Sequence, residues 1–259
     1  MGGINIDTHG KKDYTFLKKI PGYNLIAKPL TGLLLNTREY YYREYGLITK
    51  HNYDFVNEDN FIKATDAFVK TSTYEPFRWE MHVNFWAAHH AKNLEGDFVE
   101  CGVYLGCNVI SDIAYIDFEN LKDRKFYLFD TFCGLDEEFC TKEEYEIRKN
   151  SYPDTFERVK KTFKSYKNVI LVKGPIPKTL EDVDIRKVAY LSIDMNCVLP
   201  EIKALEFFWP KLVKGGVIVL DDYGWKGHEQ QKKAEDEFAT SVGVKILSLP
   251  TGQGLIIKP

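Results

Sequence analysis

Three carboxylates close two of the chain's apolar runs. Asp194 follows Leu191-Ser192-Ile193, and Asp221 and Asp222 follow Val217-Ile218-Val219-Leu220. Brought to one rim, such acids repel one another, and without a cation at least one takes up a proton. A hard divalent ion with oxygen ligands resolves the conflict, and Mg²⁺ usually keeps several waters or substrate oxygens as well. Asp194, Asp221 and Asp222 are therefore candidate metal ligands. The plainer reading has Asp222 capping the next turn and only Asp194 facing a pocket. A fourth acid, Glu100, ends Asp97-Phe98-Val99-Glu100-Cys101 and runs into Gly102-Val103-Tyr104-Leu105-Gly106. Gly102 and Gly106 have no Cβ, so this backbone can turn tightly and approach a ligand. A carboxylate here repels a pyrophosphate but suits a cationic, phosphate-free ligand. S-adenosylmethionine, with its ammonium and sulfonium, has that chemistry. Alone, E-x-G-x-x-x-G fits an ordinary turn equally well.

Asp130 ends Phe126-Tyr127-Leu128-Phe129 and lies close to the expected spacing of about 20 residues beyond the glycine turn. An acid at that place accepts hydrogen bonds from ribose hydroxyls; it could equally cap the next helix. Thr131 and Phe132 follow, Phe132 as an aromatic beside an adenine or a lid. Val172-Lys173-Gly174-Pro175-Ile176-Pro177 should border the adenine by position. The candidate cofactor set is thus Glu100, Gly102, Val103, Tyr104, Gly106, Asp130, Thr131, Phe132, Gly174, Ile176 and Asp194. His228, in Gly224-Trp225-Lys226-Gly227-His228-Glu229, is the candidate general base, with Lys226 and Tyr223 behind it; it also reads as a solvent-facing helix start.

These residues need a parallel sheet to gather them. Apolar runs at 97–101, 125–130, 168–172, 188–194 and 216–221 alternate with helical segments, the rhythm of a sheet with helices on both faces. Val244–Leu249 and Gly254–Lys258 are joined by too short a link for a parallel crossover, so they pair antiparallel. A doubly wound, mostly parallel seven-stranded α/β sheet with one antiparallel strand is the layout of the class I methyltransferases. The first 93 residues read as an N-terminal extension with helices, and 94–259 as the cofactor-binding domain. Up to residue 59 the extension reads as partly helical, its Tyr40, Tyr41, Tyr42 and Tyr45 packing on the domain or a partner. Asp59 or Asn60 caps a helix carrying Phe61, Ala64 and Phe68, and a second helix follows Pro76. His82, His89 and His90 on it lack a zincin's Glu and read as satisfied histidines. The charged stretch 133–160 is long for a βα connection and reads as a lid, with a helix from about Thr155.

Composition narrows the field. The chain has 259 residues, 44% hydrophobic and 28% charged, and a net charge of −3. Nothing suggests a nucleic-acid footprint, no run approaches the ~20 apolar residues of a membrane span, and the N-terminus lacks a signal-peptide pattern. Five scattered cysteines without a C-x-x-C pair point to reduced thiols and a cytoplasmic setting.

Asp97-Phe98-Val99-Glu100-Cys101-Gly102-Val103, Phe129-Asp130-Thr131-Phe132-Cys133-Gly134-Leu135 and Leu220-Asp221-Asp222-Tyr223 together resemble the signature blocks of the macrocin O-methyltransferase family, which includes the novobiocin and mycinamicin sugar methyltransferases. The resemblance spans roughly residues 77–259. It implies S-adenosylmethionine as methyl donor, Mg²⁺ held by Asp194, Asp221 and Asp222, a sugar or nucleotide-sugar hydroxyl as acceptor, a mobile lid and a homo-oligomer such as a dimer. The expected acceptor is a bacterial surface polysaccharide or secondary metabolite. One departure matters. Asp194-Met195-Asn196 stands where the family has Asp-Gly-Asp, and Asn196 cannot take the proton that the second acid would take. Metal coordination could activate the hydroxyl, His228 could serve as base, or the acceptor could be an anionic phosphoryl or carboxylate oxygen that needs none. An NAD-dependent oxidoreductase and a non-catalytic cofactor-binding scaffold are the rivals; the first lacks G-x-G-x-x-G.

Overall fold

The computed structural model describes residues 42–259, in two compact units divided between Asp54 and Phe55. In the first unit, β1 (Tyr42–Glu44) pairs antiparallel with β2 (Leu47–Thr49). Tyr45 and Gly46, at φ 40° and 77°, make the turn; two successive positive φ values match the twist of a hairpin. The expected partly helical extension, with Tyr40 and Tyr41, lies outside the described residues up to position 41. From 42 to 49 it is corrected to a hairpin by that turn. The Tyr42 ring packs against Tyr53 at 5.1 Å.

The second unit is built on a seven-stranded sheet of β3 (Asp97–Cys101), β4 (Phe126–Asp130), β5 (Val169–Lys173), β6 (Val188–Ile193), β7 (Leu212–Leu220), β8 (Leu247–Ser248) and β9 (Gly254–Ile257). Their spatial order is β5-β4-β3-β6-β7-β9-β8. β3 to β7 run parallel, and β9 runs antiparallel to both of its neighbours. The mostly parallel sheet with a single reversed strand is therefore present. β7 starts earlier than its apolar run. Gly215 takes φ 78°, and the irregular register there still lets Leu212 pair with Val188, as a bulge allows.

The central strands are apolar throughout because both faces are covered. Phe98, Leu128, Tyr190, Val217 and Val219 share one face with residues of α2 (Arg78–Ala91) and α3 (Cys107–Ile116). Val99, Phe129, Leu191, Ile218 and Leu220 point the other way, onto α6 (Val198–Phe208) and α7 (Glu229–Ser241). This is the two-residue alternation of a pleated strand. α1 (Asp59–Thr71) buries Phe61, Ala64 and Phe68 and packs on α3. Its N-cap is Glu58, without a side-chain cap bond, so the expected Asp59 or Asn60 cap is not made. His82 stacks on Phe55 at 4.0 Å and His90 Nε2 lies 2.9 Å from the Gly215 carbonyl oxygen. All five cysteines are free. Among the described residues no helix is long and apolar enough to cross a membrane.

Candidate active site on the carboxyl rim

Backbone hydrogen bonds continue beyond the strands and level their ends. Gly174 N–H donates to Asp130 O at 2.9 Å, Gly102 to Phe129 O at 2.9 Å, Asp194 to Cys101 O at 2.8 Å and Asp221 to Ile193 O at 3.0 Å. The parallel strands thereby deliver Gly102, Asp130, Gly174, Asp194 and Asp221 to one rim, the edge where α/β sheets hold ligands. Gly102 sits at φ 89°, and a Cβ there would stand 1.8 Å from the Asp194 carbonyl oxygen. No other residue fits. Tyr104, Phe132 and Asn196 also take positive φ (51°, 57° and 56°). All three lie on rim loops, where such strain gathers at functional sites; Asn tolerates it best.

Asp130 braces the glycine turn. Its Oδ2 accepts from Val103 N (2.6 Å) and Tyr104 N (2.8 Å), and its Oδ1 from Phe132 N (2.7 Å). Thr131 Oγ1 is 3.3 Å from Oδ1 but only 2.5 Å from Gly134 O. A hydroxyl has one proton to donate, and the shorter contact takes it. One lone-pair direction on Asp130 is left for a further donor. Phe132 and Ile176 are core side chains, Phe132 packing on Phe156 at 5.4 Å. Gly106 (φ 76°) sits where a Cβ would meet the Phe163 ring at 2.6 Å. Glu100 is buried on the Phe98 face of β3, and its Oε2 has no hydrogen-bond partner. Burial first, then Asp112, Asp221 and Asp130, push its carboxyl well above the ordinary range. Burial thus disfavours the charged form of Glu100, unlike that of a turn carboxylate in water.

Asp194, Asp221 and Asp222 are each half-buried. The Asp194 carboxyl is pushed well up, by desolvation and then by Asp221 and Asp222. Desolvation and Asp222 raise Asp221 to about 7; desolvation raises Asp222 to about 6, against the pull of Arg148. Successive residues at a strand end point to opposite sides. Asp221 Oδ1 turns to Gln253 Nε2 (3.3 Å), itself bonded to Asn84 Oδ1 (3.0 Å). Asp222 Oδ2 turns toward His228 Nδ1 (3.3 Å) but receives no hydrogen bond. This splay explains why, among the described residues, no three His, Cys, Asp or Glu side chains form a ready metal cluster. The donor chemistry, all oxygen with one orphaned buried atom, suits a hard cation; the present spacing does not yet enclose one.

A chain of hydrogen bonds links this acid group to the candidate base. Asn196 Nδ2 donates to Asp194 Oδ1 (3.1 Å), and Arg148 Nε donates to Asn196 Oδ1 (3.1 Å). Arg148 Nη2 lies 3.2 Å from His228 Nε2, and His228 Nδ1 lies 2.8 Å from Gln231 Oε1. Gln231 Nε2 donates to Glu201 (2.9 and 3.1 Å), which also accepts from Met195 N (3.1 Å). A guanidinium only donates. His228 Nε2 must therefore carry the lone pair and Nδ1 the proton. Desolvation and the neighbouring Arg148 lower the His228 pKa, which keeps the ring neutral.

Arg148 was hidden in the charged lid stretch. It ends α4 (Lys142–Arg148), a short helix closed by a Thr141–Glu144 capping box. The Thr141-x-x-Glu144 spacing is its one sequence signal. Glu144 also accepts from Val198 N (2.9 Å), docking α4 on the start of α6. The helix expected from Thr155 is α5 (Phe156–Phe163). Tyr152 also faces the acids: desolvation, Asp194 and Asp222 push its hydroxyl pKa up. Of the alternative bases, Tyr223 is engaged by Asp236 (2.7 Å) and Lys232 (2.6 Å), and Lys226 is exposed.

The pattern of the macrocin-O-methyltransferase family matches residues 81–246. The chain is similar to the demethyldecarbamoylnovobiocin O-methyltransferase of Streptomyces niveus, 26% identical over 141 residues that cover 51% of this chain and 54% of that protein. It thus spans about half the length of that curated relative. Among solved structures it resembles the O-methyltransferase NovP (TM-score 0.61, 21% identity, covering 69% of this chain and 79% of NovP). It also resembles the calicheamicin methyltransferase CalS11 (TM-score 0.56, 15% identity, covering 77% and 93%). At these identities the likeness is one of fold, that of the class I methyltransferases.

Proposed function

This chain belongs to the macrocin-O-methyltransferase family, and from that premise we propose that it methylates an oxygen of a small acceptor, a sugar hydroxyl of a bacterial surface polysaccharide or secondary metabolite. The observation that carries the reading is the convergence on one rim of the glycine turn, the open lone pair of Asp130 and the Asp194–Asn196–Arg148–His228 chain. S-adenosylmethionine supplies a methyl group on a sulfonium, which leaves as a neutral thioether. Gly102, Val103, Tyr104 and Gly106 form the turn that receives it, and Asp130 accepts from a ribose hydroxyl. The orphaned Oε2 of Glu100 is an acceptor for the donor's ammonium. Gly174 and the adjoining loop border the adenine.

The acceptor oxygen forms its bond to the methyl carbon as the carbon–sulfur bond breaks, and the hydroxyl proton goes to His228 Nε2. His228 is suited because its tautomer is fixed with Nε2 bare of hydrogen. General bases contribute about 10²–10⁴-fold. Asn196, which cannot take that proton, holds Asp194 and Arg148 in register. Asp194, Asp221 and Asp222 are the residues that would hold Mg²⁺. The ion would lower the pKa of the bound hydroxyl.

Thermal-shift titration tests donor binding, since a ligand of the native state raises the melting temperature. S-adenosylhomocysteine should stabilise the protein and NAD should not; the reverse would make this an oxidoreductase. Mg²⁺ should add a further rise that Asp221→Asn removes, and an equal rise in both proteins would exclude the assigned ligands. Turnover with a sugar panel, with and without chelator, separates an enzyme from a binding scaffold.

A further inference from the structure

We propose that Arg148 forms an oxyanion subsite, so that the acceptor is a sugar carrying a phosphoryl or carboxylate group near the oxygen to be methylated; this rests on the methyltransferase reading above. The guanidinium enters the rim from the end of α4, half-buried, and spends Nε on Asn196 and Nη2 on His228. Nη1 makes no hydrogen bond to a described residue. Both partners it does hold are neutral, an amide oxygen and an imidazole lone pair. Asp222 lies within its electrostatic reach yet accepts no hydrogen bond from it. A guanidinium presents a planar fork that matches carboxylate and phosphate oxygens, and charge-assisted bonds are roughly twice as strong as neutral ones. An anionic acceptor therefore outcompetes Asn196 and His228 for Arg148.

That exchange has a consequence for the chemistry. While Arg148 caps Nε2, the imidazole lone pair is committed. When an oxyanion draws the guanidinium away, Nε2 is free to receive the hydroxyl proton. A neutral sugar offers Arg148 nothing better than its present partners and leaves His228 capped. The same arginine thus selects the acceptor and releases the base.

The test uses the full chain loaded with S-adenosylhomocysteine, with glucose 1-phosphate, glucuronate and methyl glucoside as calorimetric probes. The expected result is that at least one anionic probe binds about tenfold or more tightly than methyl glucoside. Which one does so separates phosphoryl from carboxylate recognition. In Arg148→Gln that advantage should fall to within about threefold, and Arg148→Lys should restore only part of it, because an ammonium lacks the fork. No preference for either anion in the natural protein, or a preference that survives in Arg148→Gln, overturns the proposal. Failure of S-adenosylhomocysteine to raise the melting temperature would instead count against the methyltransferase reading itself.

Discussion

Replacing Asp112 by Asn should change how stability depends on pH, and the size of the change follows from its surroundings. Asp112 lies on α3, buried, one oxygen accepting from Tyr190 Oη at 3.1 Å and the other without a partner. Burial outweighs the Tyr190 bond and pushes the carboxyl up to about 8 from 3.8. Between those values the folded protein holds a proton at Asp112 that the unfolded chain has released. Stability from this group is therefore complete below the unfolded pKa and is lost as pH rises through the folded one. With one proton's difference, each pH unit costs about 1.4 kcal/mol. From about pH 5 to about pH 7 the loss is about 2.7 kcal/mol. Asn keeps the acceptor for Tyr190 and has no proton to lose, so Asp112→Asn should escape this loss. Urea denaturation of both proteins across that range should show the variant gaining on the natural protein as pH rises. Parallel stability curves would show that Asp112 is ionised in the folded state and would refute the burial argument.

Other perturbations test the rim more directly. Gly102→Ala drives a Cβ into the Asp194 carbonyl oxygen and should cost roughly 3 kcal/mol or more; an unchanged melting temperature would mean that the two strand ends move apart easily. His228→Gln should lower kcat by about 100-fold or more with little change in KM for the donor, and a pure KM effect would remove His228 from proton transfer. Glu144→Ala breaks the capping box and the bond to Val198 N. It should cost about 1 kcal/mol locally, seen as faster amide exchange over 142–148, and unaltered exchange there would show that α4 is held by other contacts.

Much of this architecture was legible in advance. Apolar, β-branched runs such as Val217-Ile218-Val219-Leu220 read as strands covered on both faces, and the short link before Gly254 forces an antiparallel pair. Strand ends then fix which residues share a rim, so Asp130, Asp194, Asp221 and Asp222 could be gathered from spacing alone. The side chains that complete the site could not. Arg148, Gln231, Glu201 and Gln253 come from the short helix α4, two outer helices and a terminal turn, and only the folded chain brings them together. Nor does a sequence reveal that Glu100 is walled off from water or that Asp221 and Asp222 diverge, since both depend on which neighbours cover a given side. The hairpin at 42–49 was missed because its turn opens on Tyr45, a non-glycine residue at positive φ among other tyrosines, ahead of Gly46.

The levelled strand ends carry a further implication. Because amide-to-carbonyl bonds rivet Asp130, Gly102, Asp194 and Asp221 into one band, those positions cannot be retuned singly without disturbing the sheet. The segment 133–155, by contrast, reaches the rim through a handful of side chains such as Glu144, Arg148 and Thr155. Substitutions in that segment therefore disturb the sheet less than substitutions in the band, and it is there that the lining of the rim can change while the framework stays fixed.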